Sequence, residues 1–121
     1  MKTEEELKKD CTSDVINKMC RLAEGFENVD EYYINFGKDI TTSTMHIFTW
    51  PIFPLLIHRA VEGWNEKKLG YIRIFEDVII LQRKTDKNSS YFYFKDYQRE
   101  YLSHAECAML DCLLEILNEE K

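Results

Sequence analysis

The segment from Ser103 to Glu119 constrains the fold more than any other part of the chain. Placed on a helix, Cys107, Leu110, Leu114 and Leu117 form one apolar stripe, and Ala108, Met109, Cys112, Leu113 and Ile116 widen it. The resulting arc spans roughly two-thirds of the circumference, against about a third for an ordinary surface helix. Only Asp111, Glu115, Asn118 and Glu119 are left as a polar strip. Such a helix needs cover on two sides, either from a sheet and another helix of the same chain or from a second subunit. If two copies paired, the contact row would be Met109, Cys112, Leu113 and Ile116, with the carboxylates at the rim where they do not repel their symmetry mates. Ser103 followed three residues later by Glu106 marks the start of the helix, since each side chain can satisfy the other's free backbone N–H.

The remaining segments supply material for that cover. From Glu4 to Glu24, the residues Leu7, Cys11, Val15, Ile16, Met19, Leu22 and Ala23 recur at spacings of three and four, which predicts one amphipathic helix closed by Gly25. Tyr32 to Phe36 reads as a strand ended by Gly37, and Lys38 to Thr44 as a polar connection. Met45 to Trp50 is either a second strand or the lead into a helix. Pro51 and Pro54 are both tolerable in a first helical turn, so a helix from about Pro51 to Lys67 is consistent with them, with Phe53, Leu56, Ile57, Ala60 and Trp64 as its stripe. Gly63 lies beside that stripe, where it is either a site of close backbone approach or a weak point near the helix end.

Three strands follow: Tyr71 to Phe75, a Glu76-Asp77 turn, Val78 to Arg83, a polar loop, and Tyr91 to Phe94. In the first, Ile72 and Ile74 point one way and Tyr71, Arg73 and Phe75 the other. Val78-Ile79-Ile80-Leu81 is apolar on both faces, which predicts a central strand covered on both sides, with Ile80→Asp enough to unfold the domain. The fold expected is therefore α+β in one domain over 1–121, an antiparallel sheet of three to five strands packed with three helices.

Charge narrows the function classes. Sixteen Lys and Arg against 22 Asp and Glu give a net charge of -6, which disfavours general binding to nucleic acid or anionic lipid. Only residues 59–99 are net basic, with nine cations against six acids, so this is where an anion would be drawn unless the cations simply mark a solvated sheet edge that carries Lys and Arg against aggregation. The charged head Met1 to Asp10 does not read as a secretory signal, and Ile47 to Ile57 is too short and proline-broken to span a membrane. A cytoplasmic location is expected, and with it four reduced cysteines, Cys11, Cys20, Cys107 and Cys112, that lack metal or redox spacing and serve as small buried hydrophobes.

No catalytic constellation stands out. His46, His58 and His104 fall in different elements, the four glycines are too scattered for a phosphate loop, and Glu76 and Asp77 occupy a hairpin tip where neither would be desolvated. His46, His58 and Arg59 are the residues on which a motif-free active site would rest. No cofactor and no metal are expected. The aromatic run Tyr91, Phe92, Tyr93 and Phe94 alternates across a strand, so one pair can enter the core while the other looks outward. Tyr91 and Tyr93, with Tyr71, Arg73, Arg83 and Lys95, would suit a planar anionic ligand such as a nucleotide; otherwise they form a second apolar layer under a helix.

The run Pro54-Leu55-Leu56-Ile57-His58-Arg59-Ala60-Val61-Glu62-Gly63-Trp64-Asn65, followed by strands and an Ala- and Leu-rich final helix, resembles small phage- or prophage-encoded α+β proteins over about the last 75 residues. The resemblance carries no functional residue. It implies a non-enzymatic accessory or anti-defence factor of a mobile element that binds a host protein. A binder of a small anionic ligand is the alternative.

Overall fold

Two threonines decide how the chain begins. In the computed structural model, which describes residues 1–23, 53–67, 70–84 and 88–119, the hydroxyl of Thr3 accepts from the Glu6 N–H at 3.3 Å and opens helix α1, Glu4–Asp10. The Thr12 hydroxyl accepts from the Val15 N–H at 3.3 Å and opens α2, Ser13–Leu22. The single helix expected over this stretch is therefore two. Thr12 adopts an extended backbone, and its side chain gives the new helix a bond that a continuous helix would not offer. The apolar stripe survives the break: Leu7, Cys11, Val15, Ile16, Met19 and Ala23 are all buried.

Helix α3 runs Phe53–Glu66 and buries Phe53, Leu56, Ile57, Ala60, Val61, Gly63 and Trp64. The strands β1 (Gly70–Ile74), β2 (Val78–Arg83) and β3 (Ser90–Tyr93) form an antiparallel sheet in the order β1-β2-β3, and a short 3-10 turn, Phe94–Asp96, leaves β3. Helix α4, His104–Glu119, closes the fold behind the expected capping box, with Glu106 N–H to Ser103 Oγ at 3.1 Å and Ser103 N–H to Glu106 Oε1 at 3.0 Å. The class is α+β, with four helices rather than three among the described residues and a sheet of three strands. The strand expected at Tyr32 to Phe36, the segment Met45 to Trp50, Gly25, His46 and Pro51 lie outside the described residues.

All four helices gather on one side of the sheet. Helix α4 packs against β2 and β3 as well as α1, α2 and α3, while α3 packs against β1. This arrangement covers the wide apolar arc of α4 from within the chain: Met109, Cys112, Leu113 and Ile116 are 1%, 0%, 0% and 5% exposed. The row suited to a two-fold pairing of α4 is therefore core, and that surface is not available to a second subunit. The physical reason is the extra helix, since the N-terminal segment, broken at Thr12, packs both α1 and α2 against α4.

The charged N-terminus is part of the core's seal. Glu4 is 1% exposed, and its carboxylate accepts the backbone N–H groups of Tyr101 and Leu102. Lys2 forms a parallel bridge beside Tyr97 and places its ammonium 3.0 Å from Asp111 Oδ1, while the Tyr97 hydroxyl donates to Asp111 Oδ2 at 2.7 Å. Replacing Glu4 with Ala leaves the buried Leu102 N–H without an acceptor, at about 1–3 kcal/mol, and takes a charged acceptor from the part-buried Tyr101 N–H. We expect Glu4→Ala to lower the thermal midpoint by roughly 10 °C. Replacing the neighbouring exposed Glu5 should change it little, and equal midpoints for the two variants would contradict this role of Glu4.

Candidate functional site

With the helices all on one side, the parity of the strands sorts each side chain to a face. Ile72, Ile79, Leu81 and Phe92 turn toward the helices and are buried. Tyr71, Arg73, Val78, Ile80, Gln82, Tyr91 and Tyr93 fall on the opposite face, and the register sets Arg73, Ile80 and Tyr91 side by side across the three strands. Tyr71 is 62% exposed, Tyr91 54% and Tyr93 41%, while Ile80 is only half-buried. The central strand is thus covered by helices on one face alone among the described residues, which corrects the expectation of two covering layers.

The open face is ordered by its own contacts. The rings of Tyr91 and Tyr93 lie 6.2 Å apart at an interplanar angle of 15°. The Arg73 guanidinium sits 5.7 Å from the Tyr71 ring centroid, and the Lys95 ammonium the same distance from that of Tyr93. Each pair holds a cation over an electron-rich ring and keeps both exposed groups in a restricted geometry. Phe75 extends the apolar area at the hairpin end.

Of the six residues that the sequence groups as a ligand site, the fold brings together Tyr71, Arg73, Tyr91, Tyr93 and Lys95 and removes Arg83. Arg83 shares the parity of Ile79 and Leu81 and turns to the helix side, where its Nη2 lies 3.6 Å from Glu115 Oε2 on α4. Counting alternation from the buried Ile79 would have shown this.

His58, at the surface of α3, sets Nε2 3.4 Å from Glu106 Oε2, the carboxylate that also caps α4. The Ser103 hydroxyl meets the Glu106 N–H, so His58 is aimed at the carboxylate rather than at a nucleophile. His104 is exposed at the start of α4, and His46 lies outside the described residues. Among the described residues, no group of three or more His, Cys, Asp or Glu could hold a metal ion.

The four cysteines are free and buried. Burial first, and then the charge of Asp10, pushes the Cys11 thiol up to about 12, while burial followed by Glu4 and Glu106 pushes Cys107 up to about 12. Burial, with Glu115 and Asp111, also raises Cys112. A raised thiol stays protonated when folded but ionises when unfolded, so it stabilises the fold below its ordinary value of 9.0 and loses that contribution as pH climbs above it. We expect native protein at pH 8 to react with a thiol-specific reagent far more slowly than denatured protein, and stability to fall from pH 9 upward. Rapid labelling of two or more thiols in the native state would contradict the packing.

The fold and this face define an α+β protein whose antiparallel sheet is covered by helices on one side and presents tyrosines and cations on the other. No protein-family model, curated protein or solved structure matches the chain. No helix among the described residues is long and apolar enough to cross a membrane.

Proposed function

We propose that the chain is a non-enzymatic interaction protein that engages a host protein through the open face of its sheet, in the cytoplasm, as an accessory or anti-defence factor of a mobile element. The observation that carries the interaction reading is the clustering of Tyr71, Phe75, Tyr91 and Tyr93, all more than 40% exposed, around Arg73 and Lys95. Tyrosine and arginine dominate the energetics of protein interfaces because each offers a large apolar body and a polar tip at modest entropic cost. The hydrogen-bonded strands add to this, since their backbone is already ordered before binding. The setting in a mobile element rests on the resemblance of the run from Pro54 to Asn65.

The test is a quantitative capture experiment with the native chain and with Tyr71→Ala/Tyr93→Ala, both of which replace exposed side chains and should leave the fold intact. A stoichiometric host protein retained by the native chain, and lost by the double variant at equal thermal stability, supports the reading. Equal capture by both, or none by either, overturns it. A second reading, binding of a small planar anion, is favoured by the two cations held over tyrosine rings. Native mass spectrometry of protein purified from cells separates the two, because the second reading requires a retained mass of a few hundred daltons.

A further inference from the structure

The two free edges of the sheet are treated differently. On β1, Ile72 turns its backbone N–H and C=O away from β2, and the Asn65 side chain meets both: Ile72 N–H to Asn65 Oδ1 at 2.8 Å, and Asn65 Nδ2 to the Ile72 carbonyl at 3.0 Å. A primary amide has the donor and acceptor of a peptide group, so Asn65 occupies the place that an incoming strand would take. Arg73 adds a charge on the same strand. The β3 edge has neither device. Phe75 N–H bonds to the Val78 carbonyl and Phe94 N–H to the Asp77 carbonyl, which sets the ladder phase so that Phe92 bonds inward and Tyr91 and the Tyr93 N–H face the edge. Ser90–Tyr93 carries no charge, no proline and no bulge, the features that keep natural edges apart, and among the described residues no strand pairs with it there.

We propose that β3 pairs antiparallel with β3 of a second copy of this chain, joining two three-stranded sheets into one of six strands. An extended backbone with free N–H and C=O groups is complemented by another extended backbone, and a two-fold axis lets one strand complement itself. The register centres on Tyr91. Its N–H and C=O bond with those of the same residue in the second copy, and each Tyr93 N–H reaches the carbonyl of Ser89 opposite. On the open face this sets ring against ring at the axis and the large Tyr93 beside the small Ser89 at either end, so large and small side chains alternate along the seam. Pairing doubles the tyrosine-bearing face while leaving Arg73, on the outer strands, at its margins. It does not depend on what that face binds.

Light scattering across micromolar to millimolar protein tests this directly. The expected result is a mass rising from 14.5 kDa toward twice that value. Tyr91→Lys, which sets two ammonium groups together at the axis, should raise the dissociation constant at least tenfold while leaving the thermal midpoint of dilute protein unchanged. Tyr91→Cys treated with copper phenanthroline in air should give a disulfide-linked dimer, and Tyr71→Cys on the opposite edge strand should not. A constant mass of 14.5 kDa at every concentration overturns the proposal, as does equal cross-linking at the two positions.

Discussion

Ile79→Asp is expected to abolish cooperative folding, whereas Ile80→Asp, one residue along the same strand, should yield a soluble protein that melts cooperatively. Ile79 is fully buried against the helices, and a carboxylate there is cut off from water. Leaving it charged costs several kcal/mol, and so does holding it neutral against its ordinary ionisation, out of a total stability of about 5–15 kcal/mol. Ile80 is half-buried on the open face between Arg73 and Tyr91, and a carboxylate opposite Arg73 gains a cross-strand partner. Its cost should be about 1–2 kcal/mol, from lost β-propensity and apolar contact. Circular dichroism melts of the two variants decide the matter. If both fail to fold, the outer face carries a second covering layer in solution, and the interaction surface proposed above would not exist.

Gly63→Ala is expected to be among the most damaging single-methyl additions in this chain. A Cβ built on Gly63 would lie 1.8 Å from the Leu22 carbonyl oxygen and 2.7 Å from its carbon, far inside contact distance. Both atoms belong to the backbone at the end of α2, so no side chain can swing aside and the two helices must separate. Alanine gains about 1 kcal/mol in helix propensity over glycine, but prising apart a packed helix pair costs about 3 kcal/mol or more. The net effect should be a thermal midpoint lower by about 10 °C or more. Gly70→Ala offers a comparison, because its Cβ would meet the Gln82 carbonyl oxygen at 2.3 Å and the Trp64 ring at 2.7 Å at the edge of the sheet. A Gly63→Ala variant as stable as the parent would show that α2 and α3 do not touch through their backbones.

These two substitutions differ in how visible they were beforehand. Gly63 was conspicuous beside the stripe of α3, but whether a second backbone approached it depended on where α2 lay. Ile80 looked as buried as Ile79, because a run of four apolar residues carries no record of which face is covered.

The elements set by local chemistry were legible in the sequence. The capping box at Ser103 and Glu106, the hairpin around Glu76 and Asp77, and the alternation of Ile72 against Tyr71 and Arg73 depend on residues a few positions apart. Their energetics are complete within one turn or one strand pair. Thr12 was also local, yet its capping bond was masked by an apolar period that continues unbroken across the helix break. What only the tertiary structure decided is the pairing of groups far apart in the chain: Glu4 with the N–H groups of Tyr101 and Leu102, Lys2 with Asp111, and Arg83 with Glu115. A charged side chain near the N-terminus reads as solvated because nothing beside it says otherwise, and it becomes a buried partner only when the fold places unpaired backbone donors against it. The same holds for α4. Its wide apolar arc required cover, but whether that cover came from this chain or from a second copy was settled by the packing of α1, α2, α3 and the sheet against it.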